Sequence, residues 1–206
     1  MSSVAAPGPA LTVEDQPRRR LILEAAERLL AARGFDGIRL RDISTEAGIS
    51  IGMIQHYFPS RDAVVREMLV TACERRATEW QLPAQRQEDP AAKIRALLAG
   101  AVTDPEHCTV WLESCAAASR HGEVQPVVLH TNTLWRKALA AAIAEGTDAG
   151  RFTPALPVEQ IVDTLVALID GLIMAVATKD PKITPEYTKS LLLAAARLQL
   201  GANLDE

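Results

Sequence analysis

The chain has 206 residues, 48% hydrophobic and 23% charged, which supports one large or two small folded domains and excludes a disordered effector or a disulfide-stapled mini-scaffold. Three cysteines, Cys73, Cys108 and Cys115, with no C-x-x-C among them, support neither a disulfide framework nor a zinc ribbon. The net charge of −4 argues against a nucleic-acid partner until its distribution is read: Arg18 to Arg66 holds nine arginines against six acids, a surplus of three, so the rest carries −7.

Aromatics are only 4% and Ala and Leu dominate the apolar set, which favours an all-α fold, since strands draw on β-branched and aromatic residues. Residues 1–16 open on a run of Ser, Ala, Pro and Gly and are read as a disordered tail without an export signal. Arg18 to Arg20 are either an arm on a duplex or a soluble flank. Ile22, Ala25, Ala26, Leu29 and Leu30 then fall at i, i+3, i+4, i+7 and i+8, one buried helix face, ending near Gly34. A short helix follows from about Leu40 to Ala47, with Leu40, Ile43 and Ala47 inward. Gly48 breaks it, and Ser50 is placed to N-cap a third helix from Ile51 to about Phe58.

Pro59 and Ser60 introduce a fourth helix, expected from Arg61 to about Trp80, and the polar Pro83 to Pro90 segment reads as a loop. Further helices are expected over Ala91 to Val102, Pro105 to Arg120, Val124 to Glu145, Pro157 to Thr178 and Pro185 to Leu200, three of them with proline near the first turn. The most apolar stretch, Ile161 to Thr178, is interrupted by Asp163 and Asp170 and falls short of the roughly 20 apolar residues of a membrane span. A soluble, cytoplasmic protein with no membrane partner is expected.

Two short helices joined by a tight Gly-containing turn and packed on a longer one form a helix-turn-helix. The run from Ile38 to Asp62, with Asp42-Ile43, Ala47-Gly48-Ile49-Ser50, Gly52 and the Phe58-Pro59-Ser60-Arg61-Asp62 junction, resembles the DNA-binding domain of the TetR family of transcriptional repressors. The resemblance covers about Arg18 to Met68. It implies a three-helix DNA-binding domain over 17–65 and a larger helical effector-binding and dimerisation domain over 66–206. Gln55 stands where the family commonly has Tyr, and Arg39 and Met53 where it has small hydroxyl residues, so a different operator is expected rather than a lost DNA role.

On the third helix Ile54 and Phe58 point to the core by their i, i+4 spacing, leaving Ile51, Met53, Gln55 and His56 outward. Gln55 suits a paired contact with adenine, and Ile51 or Met53 a thymine methyl. Arg39 and Arg41 are raised above ordinary helix-start residues only by the motif. Ser50, His56, Tyr57 and Arg61 suit phosphates, Tyr57 with an alternative role at the core edge, and Gly52 permits close approach to the backbone.

The later helices resemble the effector and dimer region of the same family, with similarity to the betaine-choline repressor branch at Trp111-x-Glu113, Leu134-Trp135-Arg136, Gly150-Arg151-Phe152 and Asp170-Gly171-Leu172. Candidate residues for a small-molecule effector pocket are Cys73, Trp80, His107, Trp111, Glu113, Cys115, Trp135 and Met174, with Phe152 beside them, a set that suits a cationic or aromatic molecule. Leu165, Leu168, Leu172, Leu191, Ala195 and Leu198 are expected at a homodimer interface of four helices, with monomer-core packing as the alternative. The expected function is a repressor released from a palindromic operator by an effector. The alternatives are an activator of the same family and a helical partner-binding protein with no DNA role. No glycine loop for phosphate, no H-E-x-x-H and no G-x-S-x-G is present, so no enzyme, cofactor or metal is expected.

Overall fold

A computed structural model describes residues 15–102 and 104–204. The described residues form helices and turns with no strand: α1 (Asp15–Arg33), a 3-10 turn (Phe35–Gly37), α2 (Leu40–Ala47), α3 (Ile51–Tyr57), α4 (Arg61–Gln85), α5 (Pro90–Ala101), α6 (Pro105–Ala118), α7 (Gln125–Asp148), α8 (Val158–Ala177) and α9 (Pro185–Leu200). The chain divides into two compact units, Met1–Val70 and Thr71–Glu206. This division and the expected 65/66 boundary both lie inside α4, whose Glu67 binds Arg19 of α1.

In the first unit α1 packs on α2, and α2 on α3, around fully buried Ile22, Leu30, Ile43, Ile54 and Phe58. Gly34 and Gly48 take φ of 70° and 66°, left-handed values that favour glycine. At Gly48 this conformation turns the backbone so that its N–H reaches the carbonyl of Ser44. The expected tail over residues 1–14 lies outside the described residues, and residues 15 and 16, expected in that tail, instead begin α1. Arg18 to Arg20 are therefore helical and form no free arm.

In the second unit α6, α7 and α8 pack on one another, with α5 against α7 and α9 against α5 and α8. Asp89, Asp104 and Thr184 cap α5, α6 and α9 by accepting from Ala92, Glu106 and Tyr187 N–H groups. The expected loop from Pro83 shrinks, because α4 continues through Pro83 to Gln85. A proline there removes one backbone donor, that to the Glu79 carbonyl. Buried Ala84 anchors the extra turn. Although Asp163 and Asp170 interrupt it, α8 is long and apolar enough to cross a membrane by length and composition. In this fold Ile161, Leu165, Ile169 and Leu172 are buried on a face packed against α6 and α7.

Candidate functional site

The surface of α3 is set by its two ends. Ser50 accepts from the Met53 N–H at 3.3 Å and starts the helix. The buried pair Ile54 and Phe58 holds its inner face, so Ile51, Gly52, Met53, Gln55 and His56 are exposed. Ile51 and Met53 keep 42% and 38% of their surface open and stand two residues apart on the outward side of the helix. A Cβ on Gly52 would meet nothing within 4 Å; no neighbour in the chain requires the glycine. Tyr57 is buried at the core edge, its ring edge-on to His56 at 5.2 Å. Arg18, Gly52, Met53, His56 and Tyr57 line a shallow groove.

The arginines divide into two groups. Arg28 pairs with Glu46 at 2.8 Å, Arg33 with Asp42 at 3.1 Å and Arg20 with Glu24 at 3.3 Å, and Arg19 binds Glu67 while lying 4.7 Å over the Phe58 ring. Among the described residues Arg18, Arg39, Arg41 and Arg66 make no ion pair, and all four are exposed. Arg61 departs from expectation. Its guanidinium donates to the carbonyls of Ile38, at 3.2 Å, and Phe35, pairs with Asp62 at 2.8 Å, and stacks 4.6 Å above the Phe35 ring. It ties α4 to the turn before α2, so its N–H groups face inward rather than to a phosphate.

The second unit holds a cavity of about 270 Å³ whose lining includes Cys73, Arg76, Glu79, Trp80, Pro83, Asp104, His107, Cys108, Trp111, Ser114, Thr131, Trp135 and Ile173. Its wall is a stack of three tryptophans. Trp135 lies 5.6 Å from Trp80 and 5.2 Å from Trp111, ring centroid to centroid. Trp80 donates to the Leu97 carbonyl at 2.7 Å and Trp111 to Asp170 at 3.1 Å. Arg76 donates to the His107 carbonyl at 3.0 Å, and His107 lies 3.4 Å from Asp104. Burial pushes the Cys108 thiol up to about 11, with Asp104 adding to the shift, so a thiolate nucleophile is disfavoured there.

Of the residues expected at an effector pocket, Cys73, Trp80, His107, Trp111 and Trp135 line this cavity. Glu113, Cys115 and Met174 do not. Met174 is 55% exposed on another face of α8. The Cys115 thiol is pushed up to about 12 by burial, then by the charge of Asp170 and by Cys73. Phe152 is buried elsewhere in the unit. Arg76, Glu79, Pro83 and Asp104 escape the sequence reading. A signal exists, since 73, 76, 80 and 83, and 104, 107, 108, 111 and 114, each follow one helical stripe.

The expected dimer set also splits. Leu165 and Leu172 are 0% and 5% exposed and belong to the core of the unit, because α8 turns its strongest stripe to α6 and α7. Leu168, Leu191 and Ala195 are half-buried and Leu198 is 82% exposed. Ala167, Gly171 and Met174 on α8 and Ala194 on α9 are exposed beside them.

Residues 22–68 match the tetR family of bacterial regulatory proteins, and residues 86–201 match the C-terminal region of BetI-type transcriptional repressors. Over 192 residues the chain is 26% identical to the HTH-type transcriptional regulator BetI of Rhizobium meliloti, covering 91% of this chain and 92% of that one. In fold it is similar to a transcriptional regulator from Saccharomonospora viridis solved in complex with choline, at 24% identity and a TM-score of 0.82 over 88% of this chain and 96% of that one. It is also similar to a TetR-family regulator from a Rhodococcus species, at 24% identity and a TM-score of 0.79 over 89% and 99%. With an open recognition helix in the N-terminal unit and family matches over most of its length, the chain belongs to the TetR family of DNA-binding transcriptional regulators, with a C-terminal region of the BetI type.

Proposed function

We propose that the protein is a cytoplasmic homodimeric repressor, held on a palindromic operator by α3 of each copy and released by a small organic cation bound in the tryptophan-walled cavity. The cavity carries this reading. Indole faces attract a cation, worth about 0.5–2 kcal/mol per well-placed ring, and Glu79 and Asp104 give the lining more negative charge than Arg76 offsets. The Saccharomonospora viridis regulator, of the same fold, was solved with choline, a cation that 270 Å³ accommodates.

On DNA, Gln55 reads a base edge and Ile51 or Met53 a thymine methyl, while Arg39, Arg41 and His56 flank them. A two-fold pair of such units reads two half-sites about one helical turn apart. The second copy docks on the exposed face formed by Leu168, Gly171 and Met174 of α8 with Leu191, Ala194 and Leu198 of α9. Release requires that the cation bind the DNA-free arrangement more tightly than the DNA-bound one.

The test is calorimetric titration of the full chain with choline and with its neutral isostere 3,3-dimethylbutanol, followed by a mobility shift on its own upstream promoter region. Tighter binding of the cation, lost in Trp135→Ala, together with release of the shifted band, is expected. Equal affinity for the two molecules would overturn the cation reading, and a band unmoved by saturating ligand would overturn release.

A further inference from the structure

The three consecutive arginines Arg18, Arg19 and Arg20 occupy successive 100° steps round the first turns of α1, and the fold gives each a different neighbourhood. Arg19 is turned to α4, bound by both oxygens of Glu67 and laid over Phe58. Arg20 faces solvent, its side chain 77% exposed, paired with Glu24 one turn on. Arg18 is four residues before Ile22, which is fully buried. It therefore continues the inward stripe of α1 one turn beyond the core, and helical side chains lean back towards the N-terminus.

That position puts Arg18 in the groove lined by Gly52, Met53, His56 and Tyr57. Among the described residues no acid lines the groove and Arg18 has no ion pair. An apolar residue at this point would extend the core stripe; a guanidinium instead projects beside the outward face of the recognition helix. Resting on the DNA-binding role of this unit, we propose that Arg18 is a further DNA contact: it takes a backbone phosphate next to the bases faced by α3, whereas Arg19 and Arg20 do not touch the duplex. The occupant is set by charge and by place, since a phosphate strand borders any groove that α3 enters.

Each neutralised phosphate contributes about 0.9 to the slope of log affinity against log salt. The experiment is fluorescence anisotropy of the full chain on a labelled duplex of its own upstream promoter region, over a salt series. Arg18→Ala should lower the slope by about 0.9 per bound copy and weaken the promoter duplex and a scrambled duplex by the same factor. Arg18→Lys should restore the slope, and Arg20→Ala should leave it at the parent value. Circular dichroism melts check that the exposed substitutions leave the fold in place. An unchanged slope in Arg18→Ala, or an equal drop in Arg20→Ala, overturns the assignment while leaving the family role intact. If the parent chain itself shows no salt-dependent binding, the DNA role of the unit fails and the assignment with it.

Discussion

Trp111 on α6 donates its indole N–H to the carboxylate of Asp170 on α8 at 3.1 Å, so the wall of the cavity is pinned from behind by a charge. Burial raises the Asp170 pKa above its ordinary 3.8, and the Trp111 hydrogen bond and Arg136 only partly offset it. Because the folded state holds this proton more tightly than the unfolded chain, the group's stabilising contribution is full below its ordinary value and is lost as pH rises through the raised one. Asp170→Asn keeps an acceptor for Trp111 and removes the charge. Its melting temperature should equal or exceed that of the parent at pH 7 and depend less on pH above about 4. Asp170→Leu strands the indole N–H and should destabilise by about 1–3 kcal/mol. A lower melting temperature for the Asn variant at pH 7 would contradict this account.

Arg61 should behave as a structural clamp. Arg61→Ala removes the guanidinium hydrogen bonds to the carbonyls of Phe35 and Ile38 and its stacking on the Phe35 ring, which should cost the N-terminal unit about 2 kcal/mol in a urea melt. The salt slope of DNA binding by the remaining folded protein should be unchanged. A loss of slope at full stability would return Arg61 to the phosphates.

Gly52 separates folding from binding. Its Cβ direction is empty within the chain, so Gly52→Ala should stabilise α3 by roughly 0.5–1 kcal/mol through helix propensity. The same methyl would stand between helix and duplex, so operator affinity should drop. If binding survives the gain in stability, close approach at this residue is not required.

Gly171 offers the same separation on α8. It is exposed, and a methyl in place of its hydrogen would meet nothing within 4 Å. Ala167 and Ala175 flank it one turn away on either side, which suits close packing of a second helix. Gly171→Arg should preserve helical content while sedimentation shifts from dimer to monomer and operator affinity collapses. A dimer that persists in this variant would place the interface elsewhere.

The first unit is legible where single residues act as punctuation. Gly34, Gly48, Ser50 and Pro59 mark helix ends by backbone chemistry that needs no tertiary partner. Arg61 misleads for the opposite reason: a guanidinium serves a phosphate or a carbonyl equally well, and only the folded neighbours decide. On α8 two apolar stripes compete, and periodicity cannot say that Leu165 and Leu172 go to the core while Gly171 and Met174 stay outside. In the cavity it is the aromatics that stand out in the sequence. Arg76, Glu79 and Asp104 do not, because charged residues read as solvated faces until the helical stripe they share with Cys73, Trp80 or His107 is traced.

Trp80, Trp111 and Trp135 account for all three tryptophans of the chain, and all three stand in the cavity wall. The protein thus carries its own optical label. Excitation at the red edge of indole absorbance interrogates the cavity alone, because the DNA-binding unit contributes no such chromophore. Ring centroids 5.6 and 5.2 Å apart also couple the three emitters, so a molecule entering the stack should perturb their emission jointly. A screen of unlabelled compounds can therefore be read directly from the unmodified chain.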